Sequence, residues 1–495
     1  MRSAIVIGAG LGGLAVACRL AKMGLTVTIF EKNQLVGGKV NLVEAGGYKF
    51  DTGASLLTMR YVLEDLFNFC NRNIEDYLEL VELDPICRYF WSDGTIFNAS
   101  RDLEKTEAEI RRLSPADVSA FRLYLSDARQ KYEIAERTFL AKSLNDLPKF
   151  LAKPDREFLK NLRDLFKLSS LKTLDAHNRK FFVSPKLRQL FNRFATYNGS
   201  SPYEIPATFA LIPYVEFGLG AWYVKGGIYE IPKSLAKLAY ELGVRIFTGV
   251  EVSKIIVNNR KAVGVQIGQE KFSADFIISN ADAVETYRKL LSVENKFVHR
   301  QPSCSGFVIL LGVGRKFPQL AHHNIFFSND YKAEFDAIFK QTKPAENPTI
   351  YVCATSCTDR TQAPPKCENL FILVNAPYLT DKVDWGKISL PYRNAIIRKL
   401  EEFGLEGLEK QIEFEKIITP ADFERNTNAN RGSIYGISSN GIFSAFLRVP
   451  NKSKEFENLY FVGGAAHPGG GIPLVLLSAK MVAETIIKEY ELRNG

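Results

Sequence analysis

The sequence predicts an α/β fold: a parallel-sheet nucleotide-binding domain built from separated pieces of chain, with an α+β domain and a helical region inserted between them. Three observations predict it. The chain opens with AIVIGAGLGGLAVACRLAKMGLTVTIFEK (4–32), a strand–turn–helix–strand pattern. It closes with LYFVGGAAHPGGGIPLVLLSAK (459–480), a glycine-dense turn between a strand and a helix. Between these ends, helical and strand-rich stretches follow one another without an internal repeat.

Ala4 to Ile7 is an apolar run long enough for a buried strand. Gly8, Gly10 and Gly13 follow as GxGxxG. In a Rossmann-like unit the first glycine permits the tight turn, the second lets a phosphate approach the backbone, and the third lets helix and strand pack closely. Leu14, Ala17 and Leu20 form an apolar helical stripe, and Gly24 suits the helix end. Val27 and Ile29 begin a second strand that leads to Glu31, where a carboxylate is expected to accept hydrogen bonds from an adenosine ribose. Gly37, Gly38 and Lys39 come next, where a nicotinamide domain usually runs straight into its next helix. Paired glycines let a loop pass close to a cofactor and a lysine can meet phosphate charge. The arrangement is similar to the extended fingerprint of two-dinucleotide flavoproteins.

The C-terminal segment adds the flavin side. Leu459–Val462 reads as a short buried strand, and glycines at 463, 464, 469, 470 and 471 let backbone lie against a flat ring. Pro473 fits the first turn of a helix through Leu474, Leu477 and Met481. That helix start brings free N–H groups and a positive dipole end, which stabilise a reduced flavin carrying negative charge around N1 and O2.

Composition bounds the rest. At 495 residues, with 46% hydrophobic and 24% charged residues, the chain has room for two or three globular domains. No basic leader with a cleavage site precedes the first strand, and no apolar run approaches the ~20 residues that span a bilayer. The seven cysteines are scattered; Cys353 and Cys357 lack a matching second pair or a histidine at zinc-finger spacing. Reduced thiols and a cytoplasmic location are expected. The net charge of +9 has no nucleic-acid motif beside it, so no nucleic-acid partner is expected. Residues 139–180 carry seven lysines and three arginines against five acids. There Phe158, Leu162, Leu165 and Phe166 sit at helical spacing, with Lys160, Arg163 and Lys167 close by. Such a helix either lies on an anionic membrane surface or packs its stripe inward.

The domain reading is interrupted: 1–100 as the first cofactor part, 101–215 as a helical, substrate- or membrane-facing region, and 216–300 as a second cofactor part with a β-meander. Residues 301–425 form an α+β substrate part and 426–495 the last cofactor part. Strands are expected at YKFDTGASLL (48–57), YVCAT (351–355) and LFILVNAP (370–377). RYFWSDGTIF (88–97) reads as a hairpin turning at Asp93-Gly94. Within 244–282, turns at Asn258-Asn259 and Gly268-Gln269 suggest a three-stranded meander.

The chain resembles the FAD-dependent carotenoid desaturases, within the broader amine-oxidase-like flavoproteins. The resemblance covers nearly the whole chain. It rests on GAGLGGL, GGK at 37–39, FDTGASLLTMR (50–60), FNRFATYNG (191–199), WYVKGGIYEIPKSLA (222–236) and FVGGAAHPGGGIP. Within that family the sequence is most similar to the 1-hydroxycarotenoid (methoxyneurosporene-type) 3,4-desaturase branch, through LLTMRYVLEDLF (56–67), ATYNG, LAHHNIFFSNDY (320–331) and PTIYVCA (348–354). Many relatives have Gly-Pro where this chain has Gly53-Ala54, and broader flavoproteins often have an acid at the place of Gly464.

The resemblance implies FAD as cofactor and an acyclic carotenoid as substrate. It implies loss of two hydrogens from adjacent carbons, with hydride passing to flavin N5. The cofactor-binding set expected is Gly8, Gly10, Gly13, Glu31, Lys32, Gly38, Lys39, Val252, Gly464 and Pro473, with no metal. A carotenoid offers almost no polar handle, so binding rests on apolar area, at roughly 25 cal/mol per Å². The stretch FALIPYVEFGLGAWYV (209–224) suits either a long apolar tunnel or an ordinary core. No catalytic base is readable. Glu216 is a candidate for stabilising an allylic cation or taking a proton, or is simply salt-bridged. Arg60 is a candidate anchor for a polar end group or a flavin phosphate, or pairs with a nearby acid. His467 is a candidate in the flavin-side loop, for proton transfer or for holding the loop. His322 and His323 mark the branch and are expected near the substrate hydroxyl; a metal site needs more ligands than these supply. Oxygen or a membrane quinone is the expected electron acceptor, and peripheral association with the inner face of the membrane is expected. Alternatives are a phytoene or C30 desaturase, a carotenoid oxygenase or isomerase of the same fold, and a non-catalytic prenyl-lipid binding protein.

Overall fold

The computed structural model describes residues 2–140, 168, 171–441 and 448–492. The amphipathic stretch Phe158–Lys167 lies outside them.

A five-stranded parallel sheet forms the base of the molecule. Its order is Leu459–Phe461, Phe276–Ser279, Ser3–Ile7, Thr26–Glu31, Arg245–Thr248. The run Ala4–Ile7 is central, with Ala4 opposite Val27 on one side and Phe276 on the other. Both faces are covered, which is why these strands are apolar runs rather than alternating ones. The first helix, Leu11–Lys22, packs between Glu230–Glu241 and the C-terminal helix Ile472–Leu492. It is therefore buried well beyond the stripe read from Leu14, Ala17 and Leu20; even Arg19 is enclosed, bonded to Asp65 at 2.5 Å. Gly24, at φ +89°, lets the chain turn back after the helix, its N–H donating to the Ala21 carbonyl.

The stretch 244–282 holds five strands. Its ends join the parallel sheet, and the antiparallel meander is Lys254–Asn258, Lys261–Ile267 and Glu270–Ser273. Asn259 and Arg260 both have positive φ, so the first turn is centred one residue later than Asn258-Asn259.

A second, seven-stranded mixed sheet runs Ile412–Ile418, Ser305–Val313, Glu368–Ala376, Ile350–Cys353, His323–Phe326, Cys87–Phe90, Ile96–Ala99. The hairpin turning at Asp93-Gly94 is present, with Gly94 at φ +82°. It belongs to this second sheet, because Arg88–Phe90 pairs in parallel with Asn324–Phe326. Residues 1–100 thus contribute to both sheets rather than to the cofactor part alone. The strand expected over 48–57 ends at Asp51. The chain must bend there: a Cβ on Gly53 would lie 1.9 Å from the Lys39 carbonyl oxygen. Helices Leu103–Leu113, Val118–Ala135, Leu174–Phe181 and Pro185–Asn192 flank the second sheet. Among the described residues no helix is long and apolar enough to cross a membrane, and the seven cysteines are free thiols.

Candidate active site

One cavity of about 840 Å³ runs from the glycine turn of the parallel sheet to the second sheet. Its cofactor end is built by close backbone approaches. Gly8 has φ +96°, and a Cβ on Gly13 would sit 2.1 Å from the Gly8 carbonyl oxygen. Asn280, just past the strand Phe276–Ser279, ties the two ends of the chain together. Its Nδ2 donates to the Val462 carbonyl at 2.9 Å. A Cβ on Gly10 would meet its Oδ1 and one on Gly463 its Nδ2, each at 2.6 Å. Small residues 453 positions apart in sequence, Gly10 and Gly463, are needed because this one side chain lies between them.

Each expected cofactor residue can now be placed. Gly8, Gly10, Glu31, Lys32, Gly38, Lys39, Val252, Gly464 and Pro473 line the cavity, and Gly13 lies behind, where helix meets strand. Glu31 is buried; one oxygen accepts the Ala9 N–H at 2.7 Å and the other the Asn33 backbone N–H and side-chain amide at 2.9 Å. Its carboxylate therefore fixes the turn as well as facing the cavity. Lys39 is half-buried, and the desolvation of its ammonium lowers its pKa. Its ammonium donates to the carbonyls of Ser433 and Ile434 at 3.1 and 2.7 Å, so it braces the 433–434 loop, with one of its three donors left for a phosphate. Lys32 donates to the Arg425 carbonyl at 2.9 Å and to Asn428 Oδ1 at 3.2 Å. The C-terminal helix begins at Ile472 just past the glycines, with Pro473 in its first turn.

The three candidate catalytic residues fall out differently. Arg60 is not in the cavity wall: its Nε bonds Glu64 at 2.5 Å, one helical turn on, and its guanidinium stacks over Trp222 at 4.9 Å. Of the two readings open for it, the structure shows the pairing with a nearby acid, as the i, i+4 spacing permits. Glu216 does line the cavity, but it is buried against Arg193 at 3.1 and 3.2 Å and accepts the Tyr197 hydroxyl. Arg193 also donates to the Tyr89 hydroxyl at 2.9 Å. His467 lines the cavity with its ring Nε2 2.9 Å from the Phe139 carbonyl, which suits holding the loop.

At the wall formed by the second sheet, Ser55 Oγ lies 2.5 Å from the Tyr351 hydroxyl, which lies 2.8 Å from His323 Nδ1. All three residues line the cavity, among apolar neighbours that include Leu56, Ile212, Val215 and Leu373. Burial holds His323 well below the ordinary histidine range, with His322 and Arg193 adding to the effect. His322 sits behind, off the cavity, with Nδ1 2.7 Å from Thr358 Oγ1; burial pushes it down to about 3. Ligand atoms of His322, His323 and Cys353 lie within 4.8 Å of one another, one donor short of a closed tetrahedral set. The stretch 209–224 is divided: Phe209, Ile212 and Val215 line the cavity, whereas Phe217, Ala221 and Tyr223 are core.

Sequence reasoning missed Asn280, Tyr351 with Ser55, and Arg448. Arg448 lines the cavity although it is enclosed, and burial lowers its pKa to about 10.

A family model for flavin containing amine oxidoreductases matches residues 11–487. The chain belongs to that family. This flavin oxidoreductase is 40% identical over 98% of its length to a 1-hydroxycarotenoid 3,4-desaturase from a Flavobacterium, covering 99% of that protein. It is 38% identical to a 4,4'-diapolycopene oxygenase from a Methylomonas, over 98% of both chains. Its fold matches an oxidoreductase from Methanosarcina mazei (20% identical, TM-score 0.63, 97% and 100% of the two chains). It also matches cyclohexylamine oxidase from Brevibacterium oxydans (15% identical, TM-score 0.62, 99% of each). The cofactor of this flavin oxidoreductase is FAD. The site fits it: a glycine cradle that a Cβ would fill, two helix starts facing one cavity, and a buried guanidinium without a carboxylate beside it among the described residues.

Proposed function

We propose that this flavin oxidoreductase desaturates acyclic carotenoids, introducing the C3–C4 double bond into 1-hydroxy (or methoxy) substrates. The observation that supports it most is the Ser55–Tyr351–His323 chain. A hydroxyl on C1 stands two carbons from the bond to be desaturated. Its partner must therefore lie beside the reacting carbons rather than at a remote end of the tunnel. What supports this reading for Ser55 is its place in the loop after Asp51, whose Gly53 packs on Lys39, where the cofactor half meets the second sheet. His323 is held neutral by burial, so the chain is a recognition device for a neutral hydroxyl rather than a proton sink.

Bound FAD supplies the hydride acceptor at N5. The chain's own residues bind the polyene along Phe209, Ile212, Val215 and Leu373, exclude water, and hold the hydroxyl through Tyr351 and Ser55. Glu216 keeps Arg193 and Tyr197 in place, its carboxylate being already engaged by both. In the binding set we place Gly8, Gly10, Gly13 and Glu31 at the adenosine diphosphate, and Gly464 and Pro473 at the flavin side, with Lys32, Gly38, Lys39 and Val252 flanking them.

The deciding experiment is expression in a host that accumulates 1-hydroxylated acyclic carotenoids, with pigments read by chromatography and mass. A red-shifted product two hydrogens lighter supports the reading. Unchanged pigment there, with conversion in a phytoene- or C30-carotenoid-accumulating host, overturns it in favour of an earlier-step desaturase; a product gaining oxygen favours the oxygenase relatives. Peripheral membrane association and a quinone acceptor belong to the same reading, supported by the membrane-soluble substrate and the basic stretch 139–180. Co-sedimentation with anionic liposomes tests the association.

A further inference from the structure

Arg448 is an unusual residue for a largely apolar cavity. It is enclosed, and its guanidinium donates to the Tyr435 carbonyl at 3.3 Å and to Ser439 Oγ at 3.0 Å, both neutral. Among the described residues no carboxylate forms an ion pair with it. The other enclosed guanidiniums do have acids: Arg19 meets Asp65, Arg193 meets Glu216, and Arg393 meets Glu409 and Glu415. A buried cation without a counter-charge is destabilising, and the fold retains one at a wall of the cofactor cavity.

Its position says which anion completes it. The guanidinium lies under the glycine turn of the C-terminal segment, where a Cβ on Gly469 would stand 2.9 Å from its Cζ. That turn leads directly into the helix starting at Ile472, whereas the diphosphate-binding turn is the separate one before Leu11. We infer that Arg448 is the cation that compensates the negative charge of the reduced flavin at its N1–O2 edge, acting together with the start of the helix at Ile472. The consequence is a raised flavin reduction potential, so that hydride acceptance from the carotenoid is favoured. The assignment rests on FAD as cofactor and holds whichever carotenoid is the substrate.

The test is the reduction potential of the purified, FAD-loaded protein, measured by equilibration with a reference dye, for wild type, Arg448→Met and Arg448→Lys. Removing a charge-assisted interaction with the reduced state should shift the redox equilibrium roughly ten- to hundredfold, which for a two-electron couple is about 30–60 mV towards lower potential. The pH at which the potential changes slope, set by protonation of the reduced flavin, should move upward in Arg448→Met, and Arg448→Lys should fall between. An Arg448→Met protein that holds FAD at the wild-type potential overturns the inference. So does one with weakened FAD affinity and an unchanged potential, which would assign Arg448 to the diphosphate instead. If Arg448→Met purifies without flavin, Arg448→Lys carries the test: a lowered potential supports the inference and an unchanged one overturns it.

Discussion

The carboxylate of Asp51 accepts the backbone N–H of Ile228 at 2.8 Å, and its other oxygen takes that of Tyr229 at 2.9 Å. This pair of bonds pins the end of the strand Tyr48–Asp51 to the chain entering the helix Glu230–Glu241. It thereby fixes the loop that carries Gly53 and Ser55 into the cavity. Burial pushes the Asp51 carboxyl up to about 6 from an ordinary 3.8, against the opposing pull of the two N–H donors.

A raised carboxyl pKa means that between about pH 4 and pH 6 the folded state holds a proton that the unfolded chain has released. The Asp51 contribution to stability is therefore greatest at the acid end and is lost as pH rises through 6, by on the order of 3 kcal/mol. We expect the melting temperature of wild type, referred to Asp51→Asn, to decline over that window and to be flat above it. A difference that grows with pH would contradict the assignment.

Gly13 faces the carbonyl of Gly8 with no room for a side chain. Gly13→Val must push the first helix off its strand and open the turn that approaches the diphosphate. The expected result is folded protein without flavin, read as the ratio of flavin to protein absorbance after gel filtration. A variant as yellow as wild type would refute the fingerprint as the cofactor turn.

Tyr351→Phe removes the hydroxyl shared by Ser55 and His323 and leaves His323 Nδ1 without its partner. Losing a hydrogen bond to a substrate hydroxyl typically costs ten- to a few hundredfold in discrimination. Conversion of hydroxylated carotenoid should fall by roughly that factor relative to a non-hydroxylated analogue, with flavin content unchanged. Equal loss on both substrates would place Tyr351 in general packing.

How much of this could be read from the chain alone follows from the range of the forces involved. The parallel sheet was legible because its determinants are local: an apolar run, a glycine turn, an acid at the end of the second strand. The hairpin at Asp93-Gly94 was equally local, but its sheet partner, Asn324–Phe326, is over two hundred residues away and leaves no mark in either segment. Arg60 stayed open between anchor and ion pair because Glu64, one turn on, reads as any surface acid would. Lys39 looked like a phosphate ligand, and only the fold reveals the Ser433 and Ile434 carbonyls that take two of its protons. Arg448 was invisible, since a charged residue between Leu447 and Val449 says nothing about whether a counter-charge will reach it. Asn280 was missed because its meaning lies in two glycine turns at opposite ends of the sequence.

The Arg193–Glu216 pair separates a structural from a catalytic Glu216. The two side chains are enclosed and bonded at 3.1 Å, with Tyr197 and Tyr89 completing the cluster. Removing one partner of such a pair strands the other charge, at a cost of about 3–5 kcal/mol, whereas replacing both with apolar groups of similar size is often close to neutral. Glu216→Gln should therefore lower stability in urea titrations by about that amount, and Arg193→Met combined with Glu216→Leu should recover most of it. If Glu216 were instead the proton acceptor, Glu216→Gln would keep its stability and lose turnover of the bound carotenoid, with a pH–rate limb disappearing. The geometry favours the first outcome, because both carboxylate oxygens of Glu216 already face Arg193 and one also holds Tyr197, so neither oxygen is unengaged.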